Sequence, residues 1–88
     1  GGKVTDADLK RVAELKNLTA LNLRGAGVTD QGLKELAGMT GLSDLSLNRT
    51  LVSDGGMKHL AGLKNLTKLQ LGGTKVTDAG LRALAPLK

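Results

Sequence analysis

The apolar residues of this chain recur at a fixed interval of 24 positions. Val4, Val28, Val52 and Val76 form one column, and Leu9, Leu33, Met57 and Leu81 form the next. Val12, Leu36, Leu60 and Leu84 follow, then Leu15, Met39, Leu63 and Leu87, then Leu18, Leu42 and Leu66. The stretch Leu63–Ala85 is the clearest copy of the unit; Leu42–Ala61 and Leu15–Ala37 repeat it in register, and Val4–Leu15 is a half-copy. A period of this length belongs to solenoids, in which each unit buries its apolar face only against its neighbours. One domain is expected, with the half-repeat at 4–15 and full repeats at about 15–38, 39–62 and 63–88.

Within each unit the spacing changes from one regular structure to another. Leu21 and Leu23, Leu45 and Leu47, and Leu69 and Leu71 stand two apart, which places each pair on one face of a strand. Strands are expected at Ala20–Arg24, Asp44–Asn48 and Lys68–Gly72, parallel because each follows a complete circuit of the same path. The sets Leu33, Leu36, Ala37 and Leu81, Leu84, Ala85 have the i, i+3, i+4 spacing of a helix.

Each helical segment opens on a hydroxyl residue, Thr5, Thr29, Ser53 or Thr77, which is a suitable N-cap. The aspartates that follow suit the positive end of their own helix. Thr5 and Asp8 form a capping-box pattern with Asp in place of Glu. Later copies have Gly32, Gly56 and Gly80 where the first has Asp8. Glycine costs roughly 1 kcal/mol in a helix relative to Ala, so its recurrence points to close approach of the next layer. The alanines Ala13, Ala37, Ala61 and Ala85 are read the same way, as small residues holding helix to sheet. Gly38, Gly62 and Pro86 are read as helix stops, and Asn17, Gly41 and Asn65 as left-handed turn positions.

The string L-x-x-L-x-L-x-x-T-x-V-T-D-x-G-L-x-x-L-A at Leu66–Ala85 resembles a leucine-rich repeat. Its length and its VTD-x-GL segment are similar to the bacterial and cysteine-containing subtypes. The resemblance implies an α/β right-handed solenoid, with a short parallel sheet on the concave face and helices on the convex face. It also implies a protein-interaction role without catalysis. The family commonly has Asn or Cys where this chain has Ala26, Thr50 and Thr74. That side chain bonds the turn backbone between layers, so the Ala26 turn is expected to be the loosest.

Composition narrows the chemistry. There is no cysteine, which excludes disulfides and thiolate metal sites, and no cofactor is called for. The single histidine, His59, rules out a histidine cluster and falls on the outward helix face. The recurring Thr-Asp pairs have capping duties, and no phosphate-loop pattern occurs. Net charge is +5, and Lys10, Lys34, Lys58 and Arg82 make an unbroken basic column. With no Phe, Tyr or Trp to stack on bases, the column reads as a solubilising face rather than a nucleic-acid site. No apolar run approaches the ~20 residues of a membrane span, and no signal-peptide core stands at the start.

The candidate contact surface is the outward side of the strands and the edge beyond them. Arg24, Asp44, Asn48, Lys68 and Gln70 project from the strands, with Asp44 and Lys68 in one column. The middle copy departs from the pattern, with Arg49 in a glycine column and an exposed Leu51 beside it. Three strands at ~4.8 Å spacing and ~16 Å length present far less than the ~800 Å² per partner of a standard interface. The partner is expected to be a protein or a second copy, since the leucines of the end layers lack a neighbour and favour a homo-oligomer joined through them.

Overall fold

A computed structural model describes residues 4–84. The order is α1 (Asp6–Val12), β1 (Ala20–Asn22), α2 (Asp30–Leu36), β2 (Asp44–Ser46), α3 (Asp54–Leu60), β3 (Lys68–Gln70) and α4 (Asp78–Arg82). The strands form one parallel sheet in the order β1-β2-β3, and each helix packs on the helix of the next layer. This is an α/β solenoid, as the columns require. The register is the sequence interval itself: Leu21 pairs with Leu45, and Leu45 with Leu69.

The strands are shorter than their sequence spans because regular pairing stops after the third residue and the chain turns at Arg24–Gly25, Asn48–Arg49 and Gly72–Gly73. Gly25 and Gly73 adopt φ +73° there, and Arg49 takes φ 60° at the equivalent point. These are the left-handed positions; Asn17, Gly41 and Asn65 are not. Asn65 instead donates its Nδ2 to the Thr40 carbonyl at 2.9 Å, tying one layer to the last. Nor do Gly38 and Gly62 end their helices by a left-handed turn. Ala37 and Ala61 are the C-caps, in right-handed helical geometry. Within the alanine column Ala37 is exposed, whereas Ala13 is half-buried against the core and Ala61 is half-buried. Pro86, Ala85 and Leu87 lie outside the described residues.

The core is a stack of leucine layers: Leu33, Leu36, Leu42, Leu45, Leu47, Leu60 and Leu63, with Met39, Met57, Val28 and Val52, are essentially inaccessible. Leu15 is 56 % exposed although Met39 and Leu63 of its column are buried. It precedes β1 and has no earlier layer to lie on. Val4, at 37 %, is exposed for the same reason.

Thr50 Oγ1 donates to the Leu47 carbonyl at 2.8 Å and Thr74 Oγ1 to the Leu71 carbonyl at 2.6 Å. Both bonds close the turn within one layer rather than bridging two. Ala26 keeps the backbone bond of that turn, its N–H to the Leu23 carbonyl at 3.0 Å, and lacks only the side-chain bond. Among the described residues no helix is long and apolar enough to cross a membrane.

Candidate functional site

The layers are joined by an aspartate ladder. From the second helix on, each N-cap residue is held by the aspartate that begins the preceding helix. Thr29 donates its N–H to Asp6 Oδ1 at 2.8 Å and its hydroxyl to Asp6 Oδ2 at 2.5 Å. Ser53 binds Asp30 in the same way at 2.7 and 2.5 Å, and Thr77 binds Asp54 at 2.6 and 2.5 Å. The aspartates therefore serve the next layer, beyond the place at their own helix start that their sequence position suggests. Thr29 and Thr77 meanwhile accept from the N–H groups of Gln31 and Ala79, so one oxygen donates across the joint and caps its own helix. A carboxylate N-cap, equally good in an isolated helix, has no proton to donate here.

The recurrent glycine completes the joint. A Cβ on Gly32 would meet the Asp6 carboxylate and lie 2.8 Å from Leu9 Cδ1; on Gly56 it would meet Asp30 and lie 2.8 Å from Leu33 Cδ1. Gly80 stands likewise against Asp54. The Thr77 hydroxyl, then its N–H, with a smaller part from the Gly80 N–H, hold the Asp54 carboxyl below its ordinary range, against an opposing effect of burial.

The sequence-predicted contact residues fall into two neighbouring depressions. Asp44, Lys68 and Gln70 line the face of the sheet with Ala20, Asn22 and Ser46. Arg24, Asn48 and Arg49 line its edge with Gly72 and Gly73. Leu51 lines neither, but it is 60 % exposed just after Arg49. Asp44 and Lys68 are register partners, yet among the described residues no salt bridge forms, so their charges stand separately.

At the edge, Asn48 is the fixed element. Its Oδ1 accepts from the Gly72 N–H at 2.6 Å and its Nδ2 donates to Gln70 Oε1 at 3.3 Å. The Arg49 stem leans over Gly73, where an added Cβ would come within 3.1 Å of Arg49 Cγ. Both arginines are exposed. Ser46, at the centre of the sheet face, is only 7 % exposed and its Oγ has no hydrogen-bond partner. Ser46 alternates with Leu45 and Leu47 and shares the outer face with Asp44, and its burial follows from sitting between Asn22 and Gln70 of the flanking strands. His59 is half-buried and borders a groove with Asp30, Gln31 and Lys34. The basic column Lys10, Lys34, Lys58 and Arg82 is exposed throughout.

A family model described as Leucine Rich repeat matches residues 14–37 and 62–85. The chain belongs to the leucine-rich repeat family. The matched segments leave out residues 38–61, the copy that carries Arg49 and Leu51. Among solved structures, the repeat chain is similar to an internalin (InlF) from Listeria monocytogenes, with TM-score 0.60 and 25 % identity. The alignment covers 98 % of this chain and 31 % of the internalin, so the chain spans about a third of that protein. No curated protein sequence matches it.

Proposed function

We propose that this leucine-rich-repeat chain is a non-catalytic scaffold that binds a protein partner through the outer face of its sheet and the adjoining arginine edge. Its repeat length and VTD-x-GL segment support placing it with the bacterial and cysteine-containing subtypes. The observation that carries the reading is Arg49. It holds φ 60° in a column whose other members are glycines at φ +73°, a conformation that costs a side-chain-bearing residue about 1 kcal/mol. That cost is accepted to place a second guanidinium in the depression that already holds Arg24. Exposed Leu51 supplies an apolar contact nearby. Asn48 is already fixed by Gly72 and Gln70, which lowers the entropy lost on binding.

The chemistry fits a segment with one or two carboxylates beside an aliphatic side chain. Arginine takes carboxylates bidentately and is enriched at interface hot spots. A displayed peptide library selected on the wild-type chain tests this directly. The enriched peptides should be acidic and should lose at least tenfold in affinity for the Arg24→Ala and Arg49→Gly double variant. Peptides of no consistent charge that bind both proteins equally would overturn it.

A further inference from the structure

We infer that the two ends of the solenoid are chemically unlike: the C-terminal layer accepts one further repeat layer bearing Ser/Thr-Asp-x-Gly, and Asp8 seals the N-terminal layer against one. Each internal joint has the same parts. An aspartate at a helix start receives the N–H and hydroxyl of the next N-cap, and a glycine three residues beyond that N-cap makes room for the carboxylate.

At the C-terminal layer the accepting half of this joint is complete and unused. Asp78 occupies the column of Asp6, Asp30 and Asp54, is exposed, and accepts no hydrogen bond among the described residues. Leu81 beside it is 49 % exposed, and Leu66, Leu69 and Leu84 line a groove on the same layer. A strand carrying paired leucines followed by Ser/Thr-Asp-x-Gly would cover the leucines and supply both donors.

The N-terminal layer differs by one residue. The Thr5 N–H, which an incoming aspartate would claim, already donates to Asp8 Oδ2 at 3.0 Å. Asp8 stands in the glycine column, where Gly32, Gly56 and Gly80 have no room for even a Cβ beside the preceding carboxylate. Asp8 thus supplies from within the layer the acid that a preceding layer would bring, and it fills the space that acid would need. A second copy offers no match. Its N-terminal layer is sealed by its own Asp8, and its C-terminal layer presents another carboxylate with no donor. The homo-oligomer expected from the bare end leucines therefore lacks the joint that holds the layers together inside the chain.

Two in-register extensions test the asymmetry, read as thermal midpoints by circular dichroism. Repeating Asn65–Lys88 after Lys88 adds a C-terminal layer, and placing Arg49–Gly72 before Gly1 adds an N-terminal one. The first should raise the midpoint by ~5 °C or more and make Asp78→Ala cost ~5 °C more than it does in the 88-residue chain. The second should gain nothing with Asp8 present and should gain by a similar amount after Asp8→Gly. Equal gains at both ends whatever stands at position 8 would overturn the inference. So would an Asp78→Ala variant that costs no more in the extended chain than in the 88-residue one, or a C-terminal extension that melts without cooperativity.

Discussion

In the middle layer Leu45 and Leu47 are fully buried, whereas Leu69 and Leu71 in the layer of β3 are only half-buried. The layer of β1 is mixed: Leu21 is half-buried, but Leu23 is 4 % exposed. All six stand in the same two columns and share the same local motif. What separates them is the neighbours: the middle layer has a full layer on both sides, the layer of β1 has β2 on one side and the α1 half-repeat on the other, and the layer of β3 has one among the described residues. The same contrast runs through the polar side: Ser46 is buried, while its register partners Asn22 and Gln70 are exposed. In a solenoid, burial at a given motif position is set by what lies on either side, so stability should be concentrated at the centre. Leu45→Ala is the sharpest way to break that claim. It should cost ~3–5 kcal/mol, against ~1–2 kcal/mol for Leu69→Ala in the same column. Urea unfolding of both variants measures the difference, and equal costs would remove the distinction between inner and outer layers.

The next largest effect separates two glycines of the same repeat. Gly56→Ala drives a methyl group into the Asp30 carboxylate and Leu33 Cδ1, whereas a Cβ on Gly62 meets nothing within 4 Å. Better helix propensity returns part of the cost at position 56, so a net loss of ~1–2 kcal/mol is expected, with position 62 close to neutral. The same urea titrations decide it.

Acid should weaken the ladder at the joint between Asp54 and Thr77. Asp54 has a folded-state pKa below its unfolded value, chiefly through the Thr77 hydroxyl. A depressed carboxyl contributes stability that is present above the unfolded pKa, near 4, and is lost as pH falls through the lower folded value. The thermal midpoint should therefore fall as pH drops below the ordinary carboxylate range, and Asp54→Asn should flatten that fall. A profile that Asp54→Asn leaves unchanged would place the acid response outside the ladder.

The fold was legible because the columns are redundant. Each leucine column states the register again, and the four hydroxyl–aspartate pairs state the helix starts. The ladder was half legible: Gly32, Gly56 and Gly80 gave the close approach, and Asp8 showed the exception. The partner of each aspartate was hidden because the bond spans 23 residues, and local reading assigns a helix-start acid to its own helix. The recurrence of Ser/Thr-Asp-x-Gly as one unit was the signal that could have revealed it. Turn conformation was read one turn too early, at Asn17, Gly41 and Asn65. Small or amide residues permit φ > 0 without requiring it, and the chain reverses only after the strand. The exposure of Leu15 shows the limit of a column, which describes a site and not whether another layer lies beside it.

The smallest expected effect is also the one that joins stability to function. Arg49→Gly would return the middle turn to the residue type of Gly25 and Gly73, relieving a left-handed backbone worth about 1 kcal/mol. Two terms oppose the gain. Glycine loses more backbone entropy on folding, and the contact of the Arg49 stem over Gly73 disappears. The balance is a stabilisation of ~0.5 kcal/mol, or ~2–4 °C in a chain this short. A substitution that raises the midpoint while weakening peptide binding would mark Arg49 as a residue kept for its contact at the expense of the fold. If Arg49→Gly lowers the midpoint instead, the arginine is explained by its packing over Gly73, and the middle copy differs from its neighbours for structural reasons alone.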